Sequence, residues 1–227
     1  MKKGERDIFM ANKIHIGLSL LSSDFFNIKD TIQKVNKSPL DFIHLDIMDG
    51  VFVPNISFGP HFIKCLRPHT NKVFDVHLML QNPYNYIRDF ANAGADIITI
   101  HHEAKNAIRS LKLIKSLGLK CGIAINLETS ASRIKKYLDI VDTVMVMTVH
   151  PGFGGQKFIS SQLDTIAQIS KLISSQNSKT IRLQVDGGIN FDTAKLAIQS
   201  GANSIVSGSF LLTQSNFTTA INKLKKL

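Results

Sequence analysis

The stretch IRSLKLIKSLGLKCGIAIN, residues 108–126, contains the repeating unit from which the fold follows. Its first half spaces apolar side chains three residues apart, which lays an apolar stripe along one side of a helix. These side chains are Ile108, Leu111, Ile114 and Leu117. Gly118 then suits the left-handed cap that ends many helices. The apolar run that follows, 119–126, has the length of a strand, so the stretch predicts a helix leading directly into a strand.

The same unit recurs along the whole chain. Eight short runs rich in apolar and β-branched residues alternate with stretches of helical spacing. The runs are 14–20, 42–48, 73–80, 96–101, 119–126, 143–149, 181–186 and 204–208. Eight strand and helix units joined by right-handed crossovers are the number that closes into a barrel. We therefore predict an α/β fold, a single-domain (β/α)8 TIM barrel, with an open doubly wound sheet as the alternative.

The boundaries of the domain follow from the ends of this pattern. Gly94 and Gly201 each stand where a helical stretch stops shortly before the next strand, as Gly118 does. Residues 1–13 are polar and basic and lack the apolar core of a secretory signal. We expect a loose, disordered tail over 1–13 and the catalytic barrel over 14–227, close to the ~250 residues typical of such barrels.

Composition and charge restrict the class of partner. The chain has 44% apolar and 19% charged residues and no apolar run long enough to span a membrane. Its net charge of +10 is spread over the helical stretches, with only a short cluster at Lys223, Lys225 and Lys226. This distribution argues against nucleic acid and membrane partners and favours an anionic small molecule. We expect a cytoplasmic protein in which Cys65 and Cys121 are buried, reduced thiols.

Two predicted strands carry polar side chains on a face that should be apolar. Side chains alternate along a strand, so His44, Asp46 and Met48 share one face of the second strand. Asp75, His77 and Met79 share one face of the third strand in the same way.

The seventh predicted strand ends in Asp186, and its end should meet the second and third strands at one mouth of the barrel. Each polar residue taken singly could be a hydrogen-bonded core group. Buried carboxylates without partners are costly, however, so the cluster suggests a cation. Two imidazoles with carboxylates and no thiolate suit zinc or another first-row divalent ion.

Three glycine-bearing loops follow the sixth, seventh and eighth predicted strands. They contain Pro151-Gly152-Phe153-Gly154-Gly155-Gln156, Asp186-Gly187-Gly188 and Ser207-Gly208-Ser209. Glycines there let backbone N–H groups approach an anion, and barrels commonly hold phosphate at the loops after strands seven and eight. A metal beside carboxylates and facing a phosphate site fits removal and return of a proton next to a carbonyl. The pattern therefore indicates an epimerase or isomerase of a phosphosugar.

At these residues the chain resembles the ribulose-phosphate 3-epimerases, from about Ile14 to the end of the eighth unit. The resemblance rests on the glycine loops and on five motifs, the last of which contains the loop after the seventh strand. They are Ser19-Leu20-Leu21-Ser22, 44–50 (HLDIMDG), Phe52-Val53-Pro54-Asn55, 75–79 (DVHLM) and Val185-Asp186-Gly187-Gly188-Ile189. Leu18, where the family generally has proline, and His102, where an apolar residue is common, depart from the pattern without removing a catalytic group.

The resemblance implies specific roles for residues of this chain. His44, Asp46, His77 and Asp186 would bind one divalent metal ion, with zinc expected and iron, manganese or cobalt as alternatives. Asp46 and Asp186 would also be the two catalytic acid/base groups, one on each face of carbon 3, with Met48, Met79 and Met147 lining the enediolate. The substrate would be bound by Ser19, His77, Gly152, Phe153, Gly154, Gly155, Asp186, Gly187, Gly188, Gly208 and Ser209.

The implied reaction converts D-ribulose 5-phosphate to D-xylulose 5-phosphate in the pentose phosphate pathway, carried out by a homo-oligomer. Three alternatives stay open at this stage. An epimerase of a six-carbon ketose 6-phosphate would share the metal ligands; a metal-free lyase or decarboxylase would need a lysine at the strand ends; a phosphate-binding barrel without activity would not need the cluster. His101, His102 and His150 suggest a second metal site only weakly.

Overall fold

The computed structural model describes residues 13–175 and 181–227, and within them eight parallel strands close into a barrel in chain order. The strands are β1 (His15–Ser19), β2 (Phe42–Met48), β3 (Val73–Met79), β4 (Ile97–His101), β5 (Lys120–Ile125), β6 (Thr143–Met147), β7 (Arg182–Asp186) and β8 (Ser204–Ser207). The predicted (β/α)8 barrel is confirmed, and every strand falls within two residues of its predicted range. The expected N-terminal tail, apart from Lys13, lies outside the described residues.

Helices connect the strands on the outside of the barrel. They are α1 (Ile28–Asn36), α2 (Pro60–Leu66), α3 (Ile87–Ala93), α4 (Ala107–Ser116), α5 (Gln162–Ser174), α6 (Phe191–Gln199), α7 (Ser209–Leu212) and α8 (Phe217–Leu224). A 3-10 helix, Ala131–Tyr137, stands between β5 and β6. Gly94, Gly118 and Gly201 have φ of 105°, 75° and 108°, which confirms them as left-handed residues at helix ends. None of the helices in the described ranges is long and apolar enough to cross a membrane.

The two faces of β2 pack into different surroundings, as the alternation of side chains predicts. Ile43, Leu45 and Ile47 belong to the main apolar cluster. Met48 instead belongs to a small separate cluster with Val53 and Met79. The outward face of the strand therefore provides the hydrophobic stability, and the opposite face is left for polar groups.

The inside of the barrel contains a buried polar network centred on Asp75. Its Oδ2 lies 3.2 Å from His44 Nδ1 and accepts hydrogen bonds from Gln184 Nε2 at 2.8 Å and Arg182 Nη2 at 3.3 Å. Burial raises the pKa of Asp75, but the Arg182 charge and the bonds from His44 and Gln184 outweigh it and hold that pKa at about 2. The carboxylate is thus kept ionised beneath the mouth of the barrel.

The two cysteines differ in exposure. Cys121 is buried and reduced as expected, but the expectation of burial is wrong for Cys65, which is exposed. Cys65 lies on a part of α2 that faces solvent, and its Sγ is 3.6 Å from Nε2 of His61 one turn earlier.

Candidate active site

Two imidazoles and two carboxylates meet at the carboxyl ends of β2, β3 and β7. The register pairs Asp46 with His77, which brings the ends of β2 and β3 level. Asp46 Oδ1 lies 3.2 Å from His44 Nε2 and 3.1 Å from His77 Nδ1, and Asp186 Oδ2 lies 3.7 Å from each of these nitrogens. One ligand atom from each of the four residues lies within 4.8 Å of the others, so all four could bind a single ion.

The burial, spacing and donor atoms of these four residues fit a divalent metal ion. His44 Nε2 is buried and makes no hydrogen bond of good geometry within the described part of the chain. Two carboxylates face each other across the same space, where a cation would relieve their repulsion. Two imidazole nitrogens and two carboxylate oxygens suit a first-row divalent ion. These four residues could therefore hold such an ion.

The two carboxylates have opposite proton affinities. Burial raises the pKa of Asp46, but the adjacent His44 and His77 outweigh burial and hold that pKa well below its ordinary value. Burial, and then the negative charge of Asp46, raise the pKa of Asp186 to about 7. Two neighbouring carboxyl groups whose environments separate their pKa values in this way can act as a base and an acid together.

The two histidines also differ because different groups lie behind them. Burial lowers the pKa of His44, yet Asp46 in front and Asp75 behind outweigh it, so the pKa is raised well above the ordinary value. Burial dominates for His77 and lowers its pKa. Its far nitrogen, Nε2, faces another imidazole, that of His101, at 2.8 Å, rather than a carboxylate.

A cavity of about 460 Å³ opens above the cluster and contains most of the predicted substrate site. Its lining includes Ser19, Asp46, Met48, Met79, Met147, Gly152, Phe153, Gly154, Gly155, Asp186, Gly187, Gly188, Gly208 and Ser209. The predicted substrate contact His77 is fully buried and lies behind the carboxylates, outside this lining. The size is within the range of small-molecule sites, roughly 300–1,000 Å³.

The glycine loops have conformations that only glycine adopts readily. Gly152, Gly155, Gly187 and Gly188 have φ of 131°, 75°, 115° and 67°. At Gly188 an added Cβ would lie 2.3 Å from the backbone N of Phe158, so the position also requires the absence of a side chain. The loop after β7 is held in place because the Thr148 hydroxyl donates to the carbonyl of Gly187 at 2.6 Å.

Ser19 at the end of β1 acts on the cluster directly. Its hydroxyl donates a hydrogen bond to Asp46 Oδ2 at 2.7 Å. That bond uses the carboxylate oxygen that does not face His77, so Oδ1 and Oδ2 have different partners. Ser19 therefore orients Asp46 as well as lining the cavity.

Several supporting residues were not predicted from the sequence. Asp49 accepts from the backbone N–H groups of Val51, Phe52 and Gln81, and so ties the loop after β2 to the end of β3. Its position directly before Gly50 is the signal that marks such a turn residue. Asp75 was grouped with the mouth of the barrel, whereas it lies one layer deeper, behind His44.

The histidines that suggested a second metal site have other surroundings. His101 contacts His77, and His102 Nδ1 lies 2.8 Å from the Tyr137 hydroxyl. In the described ranges, the group at Asp46 is the one set of metal-binding residues of this kind.

Comparison with known proteins agrees with the geometry of this site. A family model described as the ribulose-phosphate 3 epimerase family matches residues 15–212. The ribulose-phosphate 3-epimerase of Bacillus subtilis (strain 168) is 43% identical over 213 residues, 93% of this chain and 98% of that protein. The chloroplastic ribulose-5-phosphate-3-epimerase of Arabidopsis thaliana is 40% identical over 222 residues, 96% of this chain and 79% of that protein.

Solved structures with low sequence identity share the barrel. The 3-hexulose-6-phosphate synthase from Salmonella typhimurium has a TM-score of 0.70 at 18% identity, covering 94% of this chain and 97% of that one. A 3-keto-L-gulonate-6-phosphate decarboxylase from Vibrio cholerae has a TM-score of 0.68 at 17% identity, covering 94% and 96%. These two likenesses show the fold alone. The family match and the sequence identities to whole relatives carry the assignment, and the chain belongs to the ribulose-phosphate 3-epimerase family.

Proposed function

We propose that this chain interconverts D-ribulose 5-phosphate and D-xylulose 5-phosphate by removing and returning the proton at carbon 3, as the names of its relatives suggest. The observation that carries the proposal is the pair Asp46 and Asp186. The two carboxyl groups share one cavity floor, and their pKa values are shifted in opposite directions. Epimerisation needs one group that accepts a proton and a second that returns one to the opposite face of the same carbon.

The proton transfers follow from these two residues. In one direction the ionised Asp46 takes the proton from carbon 3, and the electron pair of that C–H bond moves toward the carbonyl at carbon 2 to give an enediolate. Asp186, whose pKa burial and the Asp46 charge raise to about 7 in the metal-free protein, then gives a proton to carbon 3 from the other face. The reverse reaction exchanges the two roles. Met48, Met79 and Met147 supply a dry, polarizable lining around the reacting carbons.

The metal ligands we propose are His44, Asp46, His77 and Asp186, with zinc as the ion and iron, manganese or cobalt as alternatives. When bound, the ion would supply positive charge next to the enediolate oxygens. His44 Nε2 supports this ligand set, because it makes no hydrogen bond of good geometry within the described residues although Asp46 Oδ1 lies 3.2 Å away.

For the phosphate we propose the three glycine loops. Gly187 and Gly188 after β7, and Gly208 with Ser209 after β8, lie where barrels commonly bind phosphate. The loop of Gly152, Phe153, Gly154 and Gly155 would cover the sugar from the side of β6, and Ser19 would contact it from β1. A five-carbon substrate is favoured over a six-carbon one, because relatives that match most of this chain are named for ribulose phosphate.

The cellular setting also belongs to the proposal. We place the reaction in the pentose phosphate pathway, in a homo-oligomer of the cytoplasm. Cell fractionation tests the location, and light scattering of the purified protein tests the assembly.

The decisive experiment uses the wild-type protein and D-ribulose 5-phosphate in heavy water, followed by NMR at carbon 3, with and without a chelator. Formation of xylulose 5-phosphate with deuterium entering at carbon 3, and loss of both on chelation, is the expected result. Conversion without deuterium entry would exclude proton transfer through solvent-exchanging carboxylates. No reaction with added zinc would exclude the five-carbon substrate, and a six-carbon ketose 6-phosphate would be tried next.

A further inference from the structure

His101, at the end of β4, lies directly behind the proposed metal ligand His77. Their Nε2 atoms are 2.8 Å apart, and the two rings meet edge to edge, with 4.9 Å between their centroids and 21° between their planes. The ring of Phe52 packs against His101, with 4.8 Å between the two ring centroids. Both imidazoles are fully buried. The short distance between two ring nitrogens means that one proton lies between them, because two facing lone pairs would repel.

Glu103 closes the other end of this chain of groups. Its Oε2 lies 3.2 Å from His101 Nδ1. Its Oε1 accepts hydrogen bonds from the backbone N–H of Asn126, at 3.0 Å, and from the Thr129 hydroxyl. The backbone N–H of Asn126 can only donate, so it fixes which carboxylate oxygen faces the loop and which faces His101.

Counting protons leaves two arrangements for the neutral pair. In the first, His77 carries its proton on Nε2 and donates it to His101, which carries its own proton on Nδ1 and donates that to Glu103. In the second, His101 donates from Nε2, and His77 carries its proton on Nδ1, the nitrogen that faces Asp46. Only the first arrangement leaves a lone pair on His77 Nδ1 for a metal ion. The carboxylates of Asp46 and Glu103 can only accept, and they favour opposite arrangements: Asp46 favours the second, and Glu103 favours the first.

We propose that Glu103, acting through His101, is a positioning residue that sets the tautomer of His77 and thereby raises the metal affinity of the site. The inference rests on the proposed metal site. Groups behind a metal-bound histidine commonly change metal affinity by about 10–100-fold. His44 receives the corresponding support from the Asp75 carboxylate directly, whereas the support of His77 passes through a second imidazole.

The test compares zinc affinity, by competition with a chelating dye at one pH, in wild type, Glu103→Gln and Glu103→Ala. In Glu103→Gln the Asn126 N–H holds the amide oxygen, so the amide NH₂ points at His101 Nδ1. Two donors would then face each other, and the second arrangement is imposed on the pair. Glu103→Ala removes the acceptor without adding a donor. We expect zinc affinity to fall about 10–100-fold in the Gln variant and by less in the Ala variant.

This order distinguishes tautomer control from other roles of Glu103. A packing role predicts the opposite order, because Gln keeps the shape and Ala does not. A general charge effect predicts equal losses in both variants and a similar loss in Glu128→Gln. Glu128 is the matched control, an exposed acidic residue in the loop after β5 that also contains Asn126 and Thr129. Unfolding midpoints show whether each variant is folded. Either of those patterns, or a Gln variant with wild-type affinity, overturns the proposal.

The outcome for the wild type separates this inference from the proposed function. If wild type binds zinc and epimerises D-ribulose 5-phosphate while Glu103→Gln binds zinc equally well, only the positioning role is lost. If wild type epimerises but does not bind zinc, the metal site and the positioning role both fail.

Discussion

Replacing Asp186 by Asn tests the two-carboxylate mechanism most directly. The amide has nearly the shape of the carboxyl group but cannot carry a proton between substrate and solvent. Positioned acid/base groups contribute about 10²–10⁴-fold, which is about 2.7–5.4 kcal/mol at 1.36 kcal/mol per tenfold. Asp186 has a pKa of about 7 and is also one of four proposed metal ligands, so the upper end of this range applies. We expect kcat to fall by about 10⁴-fold while the fold is retained.

The assay follows both epimers in heavy water by NMR and measures bound zinc in the same samples. Asp46 remains in the variant, so residual deuterium exchange at carbon 3 should be confined to the one epimer whose proton faces Asp46. Asp192→Asn, at an exposed position in the first turn of α6, is the matched control and should keep the wild-type rate. Turnover of Asp186→Asn within tenfold of wild type, or equal exchange from both epimers, would refute the assignment.

Three further predictions follow from other contacts. Gly188→Ala should lower the free energy of unfolding by about 1–2 kcal/mol more than Gly118→Ala, as measured by denaturant titration. Both glycines have left-handed φ, 67° and 75°, but only at Gly188 would the added Cβ contact backbone atoms. Ser19→Ala should reduce kcat/KM about 10–100-fold through loss of the bond to Asp46, roughly 1.5–3 kcal/mol, and equal values in a steady-state assay would contradict it. In the metal-free protein the pKa of Asp186 is raised to about 7, so between about pH 4 and 7 the native state holds a proton on Asp186 that the unfolded state does not. The contribution of Asp186 to stability therefore falls as pH rises through that window, by up to about 1.4 kcal/mol per pH unit. Denaturant midpoints at pH 5 and 7 should show this fall in wild type, and a fall of the same size in Asp186→Asn would contradict it.

The barrel was predictable because its determinants are local. Each strand has an apolar run of the right length, and each helix has a stripe spaced by three or four residues, so the repeat appears along the chain without knowledge of any contact. The connection at 131–137 is a 3-10 helix, a distinction that spacing alone does not make. Cys65 was wrongly expected to be buried, because residue type does not indicate which side of a short helix faces solvent.

The metal-binding residues and the glycine loops of the candidate site were also predictable from the sequence. Burying a histidine or aspartate on the inward face of a barrel strand costs free energy unless the side chain has a hydrogen-bond or metal partner, so His44, Asp46 and His77 stand out in the sequence. The glycine loops stand out because they follow consecutive strands. By contrast, the buried Arg182, which supports Asp75, comes from a strand more than 100 positions away, and nothing in the local pattern of β7 marks it.

The sequence by itself determined the order of strands and helices, the face of each strand that carries polar groups, and the loops that need glycine, since all three depend on neighbours along the chain. Only the tertiary structure decided which groups oppose one another across the barrel. The closed sheet's register sets Asp75 behind His44, and His101 with Glu103 behind His77. Proton affinity and tautomer depend on distances of about 3 Å between residues far apart in sequence, and those distances exist only once the barrel has closed.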